Sequence, residues 1–334
     1  MKRKLIIGFL FSGLFVYLAL KGINVSELKA GLKQADYSYL FPIFFLSILI
    51  MFLRSYRWGI ILNPLERVSQ KVLFPITAVG LMAVVLLPLR MGELARPLLV
   101  SKRSEIRISS ALGTIAVERI FDGLTLMLLL LLTTYFAQLP RWAYQAGISV
   151  MIFFVLILFF LVLLIFKKDF SLKWVGFILR RFPDRIAGYG LRLLTSFADG
   201  LKVLPDIKRV ILVVLLSFLV WLIIGLCIYL LFHSFHFNLP FIAAYVVLVL
   251  TTLGIMVPTA PGFVGNFHLL CIVGLALFGI PKSQALSFAI LLHFIQVGLV
   301  GIMGIASMPL VRIPLFELFT EKRTNPRIRP SPSR

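Results

Sequence analysis

The stretch "MIFFVLILFFLVLLIF", Met151 to Phe166, decides the fold class, because it is apolar throughout and carries no charge. A strand of a membrane barrel would alternate apolar and polar residues, and this stretch does not. With its neighbours from residue 148 it approaches the roughly 20 residues that a membrane-spanning helix needs. The 334-residue chain is 60% hydrophobic and 14% charged. The sequence therefore predicts an all-α, polytopic integral membrane helical bundle.

Apolar segments of this kind recur along the chain. They fall at about 5–20, 39–61, 72–89, 108–135, 148–166, 210–232, 240–257, 263–280 and 284–308. The basic start of the chain resembles a signal peptide, but no small-residue cleavage site follows the first run, so we interpret it as an uncleaved helix. We expect residues 1–311 to form one integral membrane domain. Residues 312–334 are basic and proline-rich, which is typical of a disordered tail.

The charges between the segments predict the topology. The N-terminus is basic and predicts a cytoplasmic start. Residues 54–71 and 90–107 each carry a net charge of +3, so both flanks of segment 72–89 should be cytoplasmic. A single crossing cannot join two cytoplasmic flanks, and the segment contains Pro75, Gly80 and Pro88, which break helices. We therefore expect about eight spanning helices plus a re-entrant hairpin at 72–89, with both termini in the cytoplasm.

The chain as a whole is strongly basic, with 34 Lys and Arg against 13 Asp and Glu. In a membrane protein this excess follows from cytoplasmic loops rich in basic residues and from attraction to anionic lipids; no nucleic-acid-binding fold is recognisable. The loop 167–209 has apolar residues at helical spacing and predicts either an amphipathic helix on the inner membrane face or a linker helix. Cys227 and Cys271 lie inside apolar segments as core residues, and no metal site or cofactor is predicted.

Three clusters of charge lie beside or within apolar segments. A charge at the bilayer centre costs at least ~2.5–3.5 kcal/mol, so such residues usually face partners inside the bundle. The excess of arginine, five against three acids, predicts a pocket for an anionic lipid head group, because a guanidinium fits a phosphate. We expect the third cluster in the first turns of its helix. The clusters are Arg54 and Arg57; Arg90, Glu93 and Arg96; and Glu118, Arg119 and Asp122.

Each cluster also has a structural alternative. Arg54 and Arg57 adjoin Tyr56 and Trp58 and could anchor the helix at the membrane interface. The second cluster, with charges three residues apart, could form salt bridges along one helix. The third cluster could be buried pairs that hold helices together.

Two proline- and glycine-interrupted segments occur in the two halves of the chain. Paired breaks of this kind point to the binding site in repeat-built transporters. A helix that begins after the second break could bind an anion with its free backbone N–H groups; the alternative is a tight turn between helices. The predicted break and hinge residues are Pro88 and Gly92, then Pro258, Pro261, Gly262, Gly265 and His268.

Four motifs in order resemble the flippase-like family related to the transmembrane region of lysylphosphatidylglycerol synthase, the multiple peptide resistance factor. They are "RSYRWGIIL", "LPLRMGELARPLLV", "AVERIFDGL" and "PTAPGFVGNFH". The family's last motif often ends in glutamate, where this chain has His268, and Phe263 replaces a common glycine. The resemblance implies a multi-pass protein of the bacterial inner membrane that binds or translocates a phospholipid, without the synthase's aminoacyl-transferring domain.

The resulting hypothesis is a lipid transporter for an anionic phospholipid or a polyisoprenyl-linked lipid. Phosphate-binding loops, metalloprotease motifs and nucleophile elbows are not found in the sequence, so we do not expect an enzyme and assign no catalytic residue. An intramembrane lipid-modifying enzyme and a non-transporting regulator of lipid enzymes are the alternatives. Membrane phospholipids are the expected partners; the sequence does not indicate an oligomeric state.

Overall fold

A computed structural model of the protein describes residues 13–87, 92–136, 141–166, 188, 195–256 and 261–311. Within these ranges the chain is helical, with turns between the helices and no strand. The predicted all-α membrane bundle is confirmed. The predicted tail at 312–334 and most of the predicted amphipathic segment at 167–209 lie outside the described residues.

The helices, in chain order, are α1 (Val25–Gln34), α2 (Leu40–Leu62), α3 (Gln70–Leu86), α4 (Ala95–Ser101), α5 (Ile108–Phe136), α6 (Arg141–Phe166), α7 (Ile207–Ser234), α8 (Phe241–Met256), α9 (Asn266–Ala276) and α10 (Lys282–Val311). Short 3-10 turns at Tyr37–Tyr39 and Pro261–Phe263 precede α2 and α9. By length and composition α2 with its preceding turn, α7 and α10 can each cross a membrane. The 29 residues of α5 and 26 of α6 are also of spanning length.

Polar side chains mark where several helices begin. Asn24 Oδ1 accepts a hydrogen bond from Ser26 N–H at 3.0 Å at the start of α1. Asp206 Oδ1 accepts one from Arg209 N–H at 3.2 Å at the start of α7. These bonds satisfy backbone donors that a helix leaves free at its first turn.

Helices α3 and α4 form an antiparallel hairpin. A methyl group on Gly92 would lie 2.1 Å from the carbonyl carbon of Ala83, so the start of the returning limb lies directly on the backbone of α3. One turn further along, a methyl group on Gly80 would lie 2.3 Å from Cγ of Arg96. Glycine is therefore required at both positions to let the two limbs approach.

The hairpin returns the chain to the end of the bundle from which it entered. Glu105, after α4, donates its backbone N–H to Glu66 Oε2, before α3, at 2.9 Å. A hairpin is thus present, but segment 72–89, predicted to form all of it, supplies only the first limb, and α4 supplies the second. The expectation that Pro75 and Gly80 interrupt it is wrong, because α3 runs unbroken from Gln70 to Leu86. Pro75 removes only one backbone donor, and Gly80 serves the packing against α4.

Helices α8 and α9 form a second hairpin. Asn266 Nδ2 donates to the Gly254 carbonyl at 2.7 Å, and a methyl group on Gly274 would lie 3.3 Å from Cα of Val247. The segments 240–257 and 263–280 were expected to be full crossings. Their helices have 16 and 11 residues, fewer than the roughly 20 needed, and instead they are the limbs of this hairpin.

The two hairpins belong to two inverted series of helices. A long helix, two hairpin limbs and a second long helix follow one another in α2–α5 and again in α7–α10. Asp36, just before α2, donates its N–H to the carbonyl of Ser234, the last residue of α7, at 2.8 Å. The two long helices therefore run in opposite directions, as in transporters built from inverted repeats.

One end of the bundle gathers the segments that the charge pattern assigns to the cytoplasm. Arg107 Nη1 donates to Ser196 Oγ at 3.5 Å. Arg103 donates to the carbonyl of Val311, at the end of α10. The loops before α3, after α4 and before α7 thus share one face with the last described residue.

The opposite end joins the first described helical residues to the start of α10. Lys282 Nζ donates to the carbonyl oxygens of Leu18 at 3.0 Å and Lys21 at 2.6 Å. Asn24 N–H donates to Ser283 Oγ at 3.3 Å. An ammonium group at the carboxyl end of a helix also interacts favourably with the helix dipole.

The largest buried apolar cluster joins α7, α8, α9 and α10. At its centre the rings of Phe232 and Phe288 have centroids 5.2 Å apart, and both side chains are fully buried. Residues of α2 and α5 also belong to this cluster, which therefore holds these helices together.

We expect Gly92→Ala to destabilise the protein by about 1–3 kcal/mol, the usual cost of overpacking, because its methyl group would meet the α3 backbone. The measurement is thermal unfolding in detergent. Gly301→Ala is the matched control, since nothing lies within 4 Å of a methyl group there, and it should be neutral or slightly stabilising. Equal stability of the two variants would contradict the packing of the hairpin.

A membrane-impermeant maleimide should label Lys71→Cys and Lys102→Cys from the same side of sealed vesicles and Lys33→Cys from the other side. All three lysines are exposed, two flanking the first hairpin and one in α1 at the opposite end. Labelling of residues 71 and 102 from opposite sides would show that this segment crosses the membrane.

Candidate functional site

Arg57 of α2 forms a forked ion pair with Asp122 of α5. Its Nη1 lies 2.5 Å from Asp122 Oδ1 and its Nη2 lies 3.2 Å from Oδ2. Nη1 also donates to Ser217 Oγ of α7 at 2.7 Å, and Nη2 lies 3.3 Å from Glu118 Oε1. One guanidinium, with 1% of its side chain exposed, therefore links three helices.

Arg96 of α4 forms the second fork, with Glu118 of α5. Its two terminal nitrogens donate to the two carboxylate oxygens at 2.9 and 3.0 Å, and both side chains are 2% exposed. The guanidinium carbon lies 5.2 Å from the ring centre of Trp58, a distance at which cation–π attraction acts. Trp58 is itself fixed by a 3.1 Å hydrogen bond from Nε1 to Thr114 Oγ1.

Arg119 extends this network towards the interior of the bundle. It contacts Glu118 at 3.3 Å, Asp122 at 3.6 Å and Glu93 at 3.6 Å. Its side chain is 36% exposed, far more than those of Arg57 and Arg96. Arg119 is therefore more accessible to a ligand than Arg57 and Arg96.

The network lies deeper than the first turns of α5, where we expected it. Glu118 and Asp122 are the eleventh and fifteenth residues of a 29-residue helix, so they lie about 15 and 21 Å from its start. At this depth an unpaired ion is costly. The arginines that the structure describes here outnumber the acids by one: Arg54, Arg57, Arg96 and Arg119 against Glu93, Glu118 and Asp122.

Arg54 is the cation of this group without a carboxylate contact. It makes no hydrogen bond or ion pair with any of the described residues, although it lies one turn before Arg57 on α2. Its side chain instead lines a cavity inside the bundle. The surplus positive charge of the network is therefore placed on a surface that a ligand can contact.

The cavity has a volume of about 350 Å³ and lies between α2, α5, α7, α8 and α10. Along α2 its wall extends from Ile43 to Arg54, a stretch of twelve residues about 16 Å long. Its lining is mostly apolar, and the polar lining residues are Ser47, Arg54, Glu93, Arg119, Asp122, Trp221, Thr251, Thr252, His293 and Gln296. The cavity thus combines an apolar channel with a charged wall.

The structure distinguishes the alternatives for the arginine clusters. Arg57 and Trp58 are fully buried, so an interface anchor does not describe them, whereas Tyr56 is 42% exposed. Arg96 pairs with Glu118 on another helix, so a salt bridge along its own helix does not describe Arg96. Buried pairs that join helices describe these contacts.

The second break has left-handed backbone at three residues. Gly262, Phe263 and Gly265 have φ of 74°, 58° and 101°, and α9 begins after Gly265. The backbone N–H of Phe267, in the first turn of α9, donates a hydrogen bond to Asn266 Oδ1 at 3.0 Å. Pro261 begins the 3-10 turn of this break.

Some predicted site residues lie outside the described residues, namely Pro88, Arg90 and Pro258. Gly92 is described and packs on α3. His268 lies in the first turn of α9, where its Nδ1 accepts a hydrogen bond from Gly265 N–H at 3.4 Å.

Sequence reasoning missed two cavity residues on α10, His293 and Gln296. His293 was detectable, because an ionisable residue within a spanning helix is a candidate for function by itself. Trp221, which also lines the cavity, was missed as well. Its Nε1 donates a hydrogen bond to Asp122 Oδ1 at 3.3 Å. Only the fold shows that it meets the carboxylate.

We expect Glu118→Gln to destabilise the protein by about 3–5 kcal/mol, because it leaves buried guanidiniums without their counter-charge. The measurement is thermal unfolding in detergent. Asp199→Asn is the control: it removes the partner of Lys202 at 3.2 Å in an exposed pair, which should cost less than about 1 kcal/mol. Similar losses for both variants would mean that the buried network does not stabilise the bundle.

Comparison with known proteins extends these observations. A UPF0104 membrane protein of Methanothermobacter thermautotrophicus is 25% identical over 302 residues, which cover 86% of this chain and 89% of that protein. A UPF0104 membrane protein of Methanocaldococcus jannaschii is 27% identical over 208 residues, covering 60% of this chain and 82% of that protein. No solved structure matches the chain.

The family described as the lysylphosphatidylglycerol synthase TM region matches residues 5–304. This range includes both hairpins, the arginine–carboxylate network and most of α10. The resemblance found in the four sequence motifs is therefore confirmed, and the chain belongs to the lysylphosphatidylglycerol synthase transmembrane-region family.

Proposed function

We propose that the protein binds the anionic head group of a membrane lipid in its cavity and moves that lipid between the two leaflets. The observation that carries this proposal is Arg54, a cation inside the bundle that lines the cavity and has no carboxylate partner among the described residues. A buried guanidinium without a counter-ion is costly. A phosphate group supplies the missing charge and matches the guanidinium fork.

The shape of the cavity supports a lipid. Its apolar wall along α2 is about 16 Å long, and it meets the charged wall at Arg54. The volume of about 350 Å³ is near the lower end of the range for small-molecule pockets, ~300–1,000 Å³. It accommodates a head group and part of one chain, with the remainder of the lipid outside.

The arginines then have different roles. Arg54 and the partly exposed Arg119 contact the head group. Arg57 and Arg96 lie behind them, each held in a forked ion pair, and position Asp122 and Glu118. The hairpin break at Gly262 gives α9 a place to move relative to α8.

The charge pattern gives the orientation that we propose in the membrane. The face with the loops before α3, after α4 and before α7 is cytoplasmic, and so are both termini. The membrane is the cytoplasmic membrane of the cell. The lipid is an anionic phospholipid or a polyisoprenyl-linked lipid, which share the phosphate that Arg54 would bind.

The test is reconstitution into vesicles that contain head-group-labelled phosphatidylglycerol, with loss of the label at the outer surface as the readout. Arg54→Gln should lower binding and transport by about tenfold or more, because a hydrogen bond to a charged group contributes about 1.5–3 kcal/mol. Its thermal stability should stay close to that of the unchanged protein, since Arg54 has no ion pair to lose.

Arg67→Gln is the matched control, because Arg67 is exposed in the loop between α2 and α3. Its transport should be unchanged. Normal transport by a folded Arg54→Gln protein would rule out the proposed head-group site. Mass spectrometry of the same vesicles separates the alternatives: a chemically altered lipid would indicate an enzyme, and a stoichiometric co-purifying protein without lipid movement would indicate a regulator.

A further inference from the structure

The helix α10 carries a titratable side chain in its middle. Between Lys282 at its start and Val311 at its end, its one ionisable residue is His293, which lines the cavity. Histidine changes its charge between pH 5 and 8. An ionisable residue at this depth is a candidate for a functional site.

The hydrogen bond of His293 fixes the position of its proton. Nε2 lies 2.6 Å from the carbonyl oxygen of Gly262, at the break of the second hairpin. A carbonyl only accepts, so Nε2 carries the hydrogen and donates it. In the neutral ring Nδ1 is then a bare acceptor, and none of the described residues donates to it. Nδ1 can therefore take up a proton without breaking the bond to Gly262.

The neighbouring His268 is placed differently. Its Nδ1 already accepts a hydrogen bond from Gly265 N–H at 3.4 Å, so a proton there would cost this bond. The rings of His268 and His293 are edge to face with centroids 4.7 Å apart. Two charged imidazoles at this distance would repel each other. We therefore expect His268 and His293 together to take up one proton, which binds to Nδ1 of His293.

The other charged groups around His293 are few. Helix α9 contributes His268, and α3 contributes Lys71, which is exposed at its start; from α7 the thiol of Cys227 lines the cavity. The charged residues of α1, namely Glu27, Lys29 and Lys33, are exposed to the outside. The remaining groups lie across the cavity as two arginines and two acids: Arg54, Arg119, Glu93 and Asp122.

These four charges sum to zero. With the ion-paired Arg57, Arg96 and Glu118 behind them the described network has a net charge of +1, which one proton on His293 raises to +2. We infer that His293 is a proton-binding site that raises the affinity of the cavity for an anionic head group, so that a phosphodiester and a proton bind together. The proton adds to Nδ1, while Nε2–H remains on the Gly262 carbonyl. A singly charged head group and one proton then cross the membrane as a neutral pair. This inference rests on the proposed lipid-binding function.

A charged imidazole also holds the second hairpin more firmly. A hydrogen bond from an ionised donor is roughly twice as strong as a neutral one. The bond from His293 to Gly262 joins α10 to the break before α9, where three residues have left-handed backbone. Loss of the proton weakens this bond at the same time as it lowers the affinity for the anion. Release of the ligand and loosening of the hairpin thus follow from one event.

The test is calorimetric titration of the full-length protein in detergent with dihexanoylphosphatidylglycerol, at several values between about pH 5 and 8. Two buffers of different ionisation enthalpy report the protons taken up for each lipid bound. We expect binding to strengthen as the pH falls, by up to about tenfold per pH unit, with uptake of up to one proton. Dihexanoylglycerol, which has no phosphate, should show neither effect.

His293→Gln should bind the lipid with an affinity that no longer changes with pH and without proton uptake, because the amide can still donate to Gly262 but cannot be protonated. His233→Gln is the matched control, an exposed histidine at the outer end of α7, and should behave like the unchanged protein. His268→Gln should keep the proton uptake.

Binding by the unchanged protein without proton uptake would overturn the role of His293 and leave the lipid-binding function standing. Proton uptake by His293→Gln equal to that of the unchanged protein would also overturn the role of His293 and leave the lipid-binding function standing. If the unchanged protein binds no phosphatidylglycerol at any of these pH values, the proposed function itself fails and the inference fails with it. The measurement on the unchanged protein needs no variant, so a misfolded variant cannot hide the result.

Discussion

The pairing of buried arginines with buried carboxylates is the constraint on which the rest of the structure depends. Glu118 and Asp122 lie near the middle of α5, where lipid and protein offer no water to solvate them. Their partners come from α2 and α4, through Arg57 and Arg96. Asp122 therefore joins α5 to α2, and Glu118 joins α5 to both α4 and α2. The extra cation, Arg54, then faces the interior cavity.

The hairpins explain how these side chains reach one another. Arg96 meets Glu118 because α4 returns along α3, and α4 can do so only because Gly80 and Gly92 leave room. The second hairpin enters from the other end and brings Gly262 against His293. Two short, broken segments thus deliver polar groups to the interior of a bundle whose long helices are almost entirely apolar. Backbone that leaves the helix at membrane depth is tolerated only where protein or a water-filled cavity covers it.

The sequence was enough to predict the helical membrane bundle, the first hairpin and the three charged clusters. Uncharged apolar runs such as Met151 to Phe166 are stable in a bilayer as helices. The charges of the loops, which predict the topology, can be counted directly in the sequence. Partner choice could not be predicted in this way. Glu93 and Arg96 are three residues apart, but Arg96 pairs with Glu118 on another helix because Gly80 opens a path to it. His293 shows the same limit, since its partner Gly262 is 31 residues away.

The contact of Lys282 with Leu18 and Lys21 has a consequence for the order of assembly. During synthesis the helical residues 13–20, before α1, are made long before α10, since about 260 residues separate the two partners. Until then their last carbonyl groups have only water or lipid head groups as partners. The contact of residues 18 and 21 with Lys282 can thus form only after the start of α10 has been made. A ribosome-bound chain that stops before residue 282 therefore lacks this contact.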